Sequence, residues 1–156
     1  APGFGHTPID PEGDLCVCGL RGCLETSLSL TAFARRLGEG DIQSREPSHA
    51  YAASLVARAD GGCTDVLTVL ASARERLRLF AEVAAPLLTP EAFILTGSGS
   101  DLAPWLATDD IGSLAIPMVR GVLGQDAPLA GAILAAQEAY LTTPVEAEPA
   151  SAAEPA

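Results

Sequence analysis

Three of the chain's four cysteines and one histidine lie within a single short segment, HTPIDPEGDLCVCGLRGCLE, at residues 6–25. Nine residues separate His6 from Cys16, one separates Cys16 from Cys18, and four separate Cys18 from Cys23. Turn formers lie between them, namely Pro8, Pro11, Gly13, Gly19 and Gly22. Thiolate sulfur and imidazole nitrogen are ligands that tetrahedral Zn²⁺ prefers, and turns let a loop aim four of them at one point. The spacing therefore favours a zinc site.

Disulfide bonding is the competing interpretation of these cysteines. The fourth cysteine, Cys63, is distant in sequence, and no charged and then apolar signal segment precedes the first motif. We therefore expect reduced thiols in a cytoplasmic protein, with Cys63 packed as a small apolar residue at the start of a helix. A zinc ion with four protein ligands has no open position for water or substrate, so its predicted role is structural.

The composition limits the partners and reactions available to the chain. Its 156 residues are 48% hydrophobic, which suits one domain-sized core. A net charge of −11 opposes binding to nucleic acid or to an anionic membrane by this chain alone, since both are polyanions. All nine basic residues are arginines, which excludes Schiff-base and phosphate-loop lysine chemistry. No apolar run approaches the ~20 residues that span a bilayer.

Apolar periodicity predicts four main helices. They are a short helix over 30–37 ending at Gly38, a helix after Pro47 closed by Gly61 and Gly62, a long helix with Thr64 as N-cap, and a final Ala-rich helix with Asp126 at its cap and Pro128 in its first turn. One stripe of the long helix is predicted to be buried: Val66, Leu70, Ala73, Leu77, Phe80, Ala84 and Leu87.

Two strands are predicted between the later helices. The segment AFILTGSGS, residues 92–100, is typical of a buried strand that ends in a ligand-facing Gly/Ser turn, and a turn or helix follows around DLAPWL. A second strand is predicted from Ala115 to Val119. The alternation of helices and strands indicates an α/β fold.

The Pro/Ala/Glu-rich segment 143–156 is predicted to be a disordered tail. Four aspartates are predicted to be solvated charges in turns: Asp10, Asp14, Asp109 and Asp110.

The segment GHTPIDPEGDLCVCGLRGCLET resembles the signature of the ROK family (repressors, open reading frames and sugar kinases), which has the form G-H, nine residues, then C-x-C-G-x-x-G-C-x-E. LLTPEAFILTGSGSDL and PLAGAILAA resemble later segments of that family, so the resemblance spans residues 3–142. It implies the actin-like (ribonuclease H-like) sugar-kinase fold of two α/β domains, of which this chain matches only the C-terminal half.

The resemblance also assigns site residues. It implies that His6, Cys16, Cys18 and Cys23 bind zinc in a loop over 6–23. It implies that Glu25 hydrogen-bonds sugar hydroxyls, while a charge at a helix N-terminus is the alternative interpretation of Glu25. His6 would contact the sugar through its second ring nitrogen. Gly97 and Gly99 would let a nucleotide approach the backbone, although a plain turn has the same sequence.

The chain departs from the family pattern at Gly3, where E-x-G-H would place a sugar-binding glutamate. The family's phosphate-binding loop, catalytic aspartate and winged helix-turn-helix have no counterpart in this sequence. The ending GCLET is more similar to the repressor branch of the family, and the missing glutamate at Gly3 is easier to reconcile with sensing than with catalysis. A C-terminal, sugar-sensing part of a ROK-type transcriptional regulator is therefore favoured. The alternative is the C-terminal half of a hexose kinase that uses ATP and Mg²⁺, inactive as this chain alone, and a third possibility is a remnant without function. The expected partner is a hexose or a derivative, and the full-length protein is expected to be a homo-oligomer.

Overall fold

The computed structural model describes residues 3–40, 48–107 and 116–142. A 3₁₀ turn at Phe4–His6 precedes the cysteine-containing loop. The helices that follow are α1 (Glu25–Leu28), α2 (Leu30–Arg36), α3 (Ser48–Asp60), α4 (Thr64–Leu88), α5 (Ala103–Leu106) and α6 (Ala127–Thr142). The strands are β1 (Phe93–Leu95) and β2 (Met118–Arg120). The predicted tail over 143–156, Asp109 and Asp110 lie outside the described residues.

Helix α2 begins and ends as its sequence predicts. The Ser29 hydroxyl accepts a hydrogen bond from Ala32 N at 3.1 Å, which satisfies one of the free N–H groups of the first turn. After Arg36 the chain reaches Gly38, whose φ of 72° is the left-handed conformation that glycine adopts without a steric penalty.

Helix α4 forms the centre of the core, with one correction to its predicted start and one to its predicted buried stripe. The N-cap is Cys63, without a side-chain capping bond, and Thr64 is the first helical residue. The predicted stripe is buried except for Leu87, which is 77% exposed at the end of the helix, where residues 86–89 are all exposed. The helix ends before Pro90, as predicted. Side chains that pack around α4 include Phe33, Tyr51, Leu55, Leu102 and Leu106.

The two strands pair in parallel, with Phe93 opposite Met118 and Leu95 opposite Arg120. A 3₁₀ turn at Ser100–Leu102 and α5 lie in the connection between them. The observed β2 begins three residues later than the predicted Ala115, since Pro117 has no N–H and contributes only its carbonyl, which accepts from Phe93 N at 2.9 Å. Ile94 is 63% exposed, so the prediction of a fully buried β1 is wrong for this chain.

Helix α6 extends away from the rest of the described structure. It begins directly after a 3₁₀ turn that contains Asp126, and Pro128 lies in its first turn as predicted. Its large apolar side chains are exposed: Leu129, Ile133, Leu134, Tyr140 and Leu141. None of the helices in the described ranges has the length and apolar character needed to cross a membrane.

Candidate metal centre

The loop over 6–23 folds into two short antiparallel pairings that bring distant ligands together. Pro8 pairs with Cys23, and Leu15 pairs with Arg21. At the tip of the loop, Cys16 N donates to the Leu20 carbonyl at 2.7 Å. The two pairings fold the chain back on itself, so that His6 and Cys23, at the two ends of the loop, become neighbours.

The structure brings all four predicted ligands into one cluster. The ligand atoms of His6, Cys16, Cys18 and Cys23 lie within 4.8 Å of one another. Cys16 Sγ is 3.4 Å from His6 Nδ1, and Cys18 Sγ is 3.5 Å from Cys23 Sγ. Tetrahedral Zn²⁺ with ordinary Zn–S and Zn–N bonds separates its ligand atoms by about 3.5–3.8 Å. The donor set and its spacing therefore fit zinc.

Disulfide bonding is excluded by the same distances. All four cysteines are free, and the 3.5 Å between Cys18 Sγ and Cys23 Sγ is far longer than an S–S bond of about 2.05 Å. Cys63 lies apart from the cluster at the N-cap of α4 and packs against the core, as predicted.

The cysteine thiols differ in how readily they ionise. A backbone hydrogen bond from Leu20 lowers the pKa of Cys18. Burial, together with the neighbouring Cys18 and Cys16 sulfurs, raises the pKa of Cys23 to about 12. A thiol must lose its proton to bind a metal, so metal binding at Cys23 releases a proton and needs the charge of the cation to offset the burial of a thiolate.

Gly22 is the residue that makes the close return of the loop possible. Its φ is +60°, and a Cβ at this position would lie 1.6 Å from the Asp10 carbonyl oxygen. A Cβ on Gly13 would in turn lie 2.6 Å from Gly22 Cα. Only glycine fits between the two arms of the loop at position 22, directly before Cys23.

Glu25 lies at the edge of the metal cluster. It is the first residue of α1, and its Oε2 is 3.7 Å from His6 Nδ1 with half of the side chain exposed. Since Nδ1 faces the Cys16 sulfur, the ring turns its second nitrogen, Nε2, away from the cluster. A cavity of about 270 Å³ lies beside the loop, with Glu25 and Arg35 in its wall. Glu25 thus combines the two predicted features, a helix start and an accessible carboxylate.

Gly97 and Gly99 lie on a separate part of the molecule, in the turn that follows β1. Gly97 has a φ of +82°, and its N–H donates to the Gly124 carbonyl at 3.0 Å. The space beside both α-carbons is open. The carboxyl end of a parallel strand is where α/β proteins commonly bind ligands, so this turn lies where the predicted nucleotide contact would be expected.

Two ion pairs join the loop to the helices, and the half-buried one corrects the prediction that Asp10 is a solvated charge, whereas Asp14 is half exposed. Asp10 accepts from Arg76 of α4 at 2.5 Å, and Asp14 accepts from Arg35 of α2 at 2.8 Å. The hydrogen bond from the Arg76 guanidinium lowers the pKa of Asp10, so the stabilisation from this pair is fully present above the ordinary carboxyl pKa and is lost as the pH falls through the lowered pKa. The partners are too distant in sequence for a local pattern to reveal them.

Comparison with known proteins identifies the class of protein that this fold and loop define. The profile of the ROK family matches residues 1–138. The chain therefore belongs to the ROK family, and its fold is the α/β, actin-like sugar-kinase fold.

Individual relatives include both enzymes and a regulator. The chain is 53% identical to the glucokinase of Thermotoga maritima over 37 residues, which is 24% of this chain and 12% of that protein. A ROK family glucokinase from Streptomyces griseus, solved with glucose and AMPPNP, is 25% identical with a TM-score of 0.63 over 86% of this chain. A ROK family transcriptional regulator, a homologue of the E. coli MLC protein, is also 25% identical with a TM-score of 0.63, over 88% of this chain.

The chain spans only part of these relatives. It covers 51% of the glucokinase from Streptomyces griseus and 38% of the regulator. The ROK hexokinase from Thermus thermophilus shares the fold, with 21% identity and a TM-score of 0.59. The match covers 86% of this chain and 48% of the hexokinase chain.

Proposed function

We propose that the loop over 6–23 binds one structural Zn²⁺ through His6, Cys16, Cys18 and Cys23. The support is the convergence of three sulfurs and one imidazole nitrogen within 4.8 Å, in a loop whose tight return requires glycine. When bound, the ion would cross-link the two arms of the loop. The four free cysteines suit the reducing conditions of the cytoplasm, which is the location that we propose.

We further propose that the zinc loop fixes a sugar-binding surface formed by Glu25 and His6. The observation that carries this proposal is the Glu25 carboxylate, which lies beside the His6 ring, is half exposed and follows Cys23 by two residues. A carboxylate accepts hydrogen bonds from adjacent hydroxyl groups, and the outward His6 Nε2 adds a second polar contact. The glucose in the related glucokinase from Streptomyces griseus makes a hexose the first ligand to test.

The role that we favour is the C-terminal, sugar-sensing part of a ROK-type transcriptional regulator. Gly3 stands where the family pattern has a further carboxylate, and that loss is easier to reconcile with sensing than with catalysis. A regulator is among the solved relatives, at the same TM-score as the glucokinase from Streptomyces griseus.

An ATP-dependent hexose kinase is the second candidate. It is favoured by the local identity to the glucokinase of Thermotoga maritima and by the AMPPNP in the glucokinase from Streptomyces griseus. In that case the open turn at Gly97 and Gly99 would face the nucleotide, and Mg²⁺ would accompany ATP. The catalytic base and phosphate loop would have to come from residues outside this sequence.

Sugar binding is tested by calorimetry with glucose in the full-length protein that contains this chain. Glu25→Gln is expected to weaken binding by about tenfold, because an amide replaces a charged acceptor. Glu12→Gln, at an exposed acid of the same loop, is the matched control and is expected to leave affinity unchanged. Equal affinity in all three proteins would contradict a role for Glu25.

The two roles are separated by two measurements on the same protein. Formation of glucose 6-phosphate and ADP from glucose and ATP would support the kinase. Absence of turnover, combined with DNA binding that glucose alters, would support the regulator. The residues encoded upstream give an independent answer, since a helix-turn-helix and a phosphate-binding loop are distinct sequence patterns.

A further inference from the structure

One half-buried ion pair attaches the metal loop to the central helix α4. The Asp10 carboxylate accepts from the Arg76 guanidinium at 2.5 Å, and the two side chains are only 27% and 25% exposed. In the same loop, Asp14 accepts from Arg35 of α2 at 2.8 Å, but these side chains are 50% and 52% exposed. The two pairs have the same chemistry and differ in burial, so one serves as a control for the other.

The Asp10 backbone is also where the two arms of the loop meet. Asp10 N donates to the Gly22 carbonyl at 3.2 Å, and the Asp10 carbonyl accepts from Gly13 N at 2.9 Å. The same carbonyl occupies the place that a Cβ on Gly22 would take. The Asp14 carbonyl accepts from Gly22 N at 2.9 Å, so the backbones of both aspartates hold Gly22, and their side-chain ion pairs differ in burial. Because Gly22 directly precedes Cys23, the position of Cys23 relative to His6 depends on where these two aspartates are held.

The Asp10 carboxylate also neutralises a crowded pair of cations. Arg76 and Arg36 both donate to the Ser72 hydroxyl, at 2.8 and 3.3 Å, and Arg76 Nε is buried without a hydrogen-bond partner. Neutralising Asp10 would remove the carboxylate bonded to Arg76 and leave Asp14 as a carboxylate that acts on Arg36. The two guanidinium groups around Ser72 would then be poorly compensated, and we expect the loop to shift to admit water or an anion. Arg35 is half exposed, so water can solvate it in place when its aspartate is neutralised.

We propose that Asp10 is a positioning residue for the metal centre and that it acts through its ion pair with Arg76. The pair fixes the loop against α4, and the backbone contacts of Asp10 transmit that fixed position to Cys23. The inference rests on the zinc loop proposed above, and it assigns a role to two residues that do not contact the metal.

The test is the zinc affinity of Asp10→Asn, measured by competition with a chromophoric chelator under reducing conditions. Asparagine keeps an acceptor for the Glu12 N–H, which bonds Asp10 Oδ1 at 3.2 Å, and it removes the charge together with the oxygen that accepts from Arg76. Loss of outer supporting contacts at metal sites weakens binding by about 10–100-fold, and we expect the lower end of that range here. Asp14→Asn is the matched control and is expected to bind zinc as the unchanged protein does.

Cobalt substitution separates positioning from a general loss of stability. Co²⁺ bound by thiolates absorbs visible light with bands that report the symmetry of its ligands. We expect the bands of Asp10→Asn to shift and those of Asp14→Asn to match the unchanged protein. A role in stability alone would lower the unfolding temperature and leave the spectrum and the affinity of the folded protein unaltered.

A double-mutant cycle with Arg76→Gln tests whether the pair acts as a unit. If it does, Asp10→Asn adds no further loss of affinity in the Arg76→Gln background. Unchanged zinc affinity and cobalt spectrum in Asp10→Asn would overturn the positioning role while leaving the zinc loop intact. Failure of the unchanged protein to bind zinc would instead overturn the zinc proposal itself.

Discussion

The four residues of the candidate metal centre differ in how deeply the fold buries them. Cys23 is fully buried and Cys16 is 5% exposed, whereas Cys18 lies on the surface at the tip of the loop. Cys18 is therefore the ligand whose replacement disturbs packing least, and its substitution reports on metal binding more cleanly than that of Cys23.

Cys18→Ser is expected to lower zinc affinity by more than about 100-fold, since it removes a ligand itself and not only an outer contact. Elemental analysis of reduced, desalted protein should give about one zinc per chain for the unchanged protein and a clear deficit for the variant. Cys63→Ser, which alters the cysteine outside the cluster, should keep its zinc. Equal zinc in all three proteins would contradict the assignment of Cys18 as a ligand.

Gly3 offers a prediction about the sugar site. Its backbone is extended, with φ −70° and ψ 163°, and the space beside its Cα is open, so a side chain fits without strain. Gly3→Glu restores the carboxylate of the family pattern and is expected to strengthen glucose binding by the full-length protein about 10- to 150-fold, the range of a hydrogen bond to a charged group.

The neutral variant Gly3→Gln is the control for Gly3→Glu, because it has the same shape without the charge. Calorimetry measures the glucose affinity of the unchanged protein, Gly3→Glu and Gly3→Gln. Glucose binding of equal affinity in all three proteins would mean that the side chain at position 3 does not contact the sugar.

At the residue scale, the sequence predicts the four metal-binding residues well, but it does not predict the ion pair that holds their loop against α4. His6 and its three cysteines occur within one local pattern, so their types and spacing alone indicate the cluster. Arg76 lies 66 residues from Asp10, and no local pattern connects the two. The roles of Glu25, Gly97 and Gly99 remain predictions, because their ligands are what would define them.

At the scale of elements, the glycines of the metal loop have unequal importance. Gly22 and Gly19 both have positive φ, but only Gly22 faces another backbone segment, with Asp10 O where its Cβ would be. Gly22→Ala is expected to disrupt the loop and abolish zinc binding. Gly19→Ala adds only the left-handed conformational cost of about 1–2 kcal/mol and should still bind zinc.

Zinc content and thermal unfolding are measured on the two alanine variants. The comparison distinguishes the steric clash of a Cβ at position 22 with Asp10 O from the conformational cost of a positive φ. Both variants carry the same change in residue type and in unfolded-chain entropy, so the difference between them isolates the contact with Asp10. Similar zinc loss in both would mean that the positive φ, and not the close approach, limits the loop.

Removal of the metal is expected to release the loop and leave the helical core folded. The core around α4 is formed mainly by apolar side chains of α2, α3 and α5, with no metal ligand among its members. In hydrogen exchange, a strong chelator should therefore expose the amides of Cys16 and Leu24, which are bonded within the loop segment, while those of α4 stay protected. Loss of protection in α4 would mean that the loop maintains the core.

The elements themselves were largely predictable where their signals are local. The turn at Gly38 and the 3.6-residue stripe of α4 depend on neighbouring residues, and the structure confirms them, with the exception of Leu87. Two errors are local, since the N-cap of α4 is Cys63 and Pro117 cannot donate to the ladder at the start of β2. The exposure of Leu87 and Ile94 is a matter of tertiary context, because it depends on which elements are present to cover them.

At the scale of the whole molecule, residues 3–40, 48–107 and 116–142 include a well-packed helical core and an apolar helix, α6, that no other described element covers. Helix α6 is hydrophobic along its length, yet Leu129, Leu134 and Tyr140 are all exposed. A helix that is apolar on all sides is normally buried in a larger core. Since the chain spans 51% of a related glucokinase, the cover that we expect is the rest of the ROK fold.

The 156-residue chain expressed alone is therefore expected to self-associate through α6. Leu134→Glu places a charge in the middle of the exposed apolar surface and should shift the chain toward the monomer, because each contact would then bury an unpaired carboxylate. Val122→Glu is the matched control, since Val122 is fully exposed in the turn before α6. Sedimentation velocity over a range of concentrations measures the effect, and it should be absent in the full-length protein if the remaining fold covers α6. A monomeric chain at all concentrations, or an equal effect of both substitutions, would show that α6 is not the surface through which the isolated chain associates.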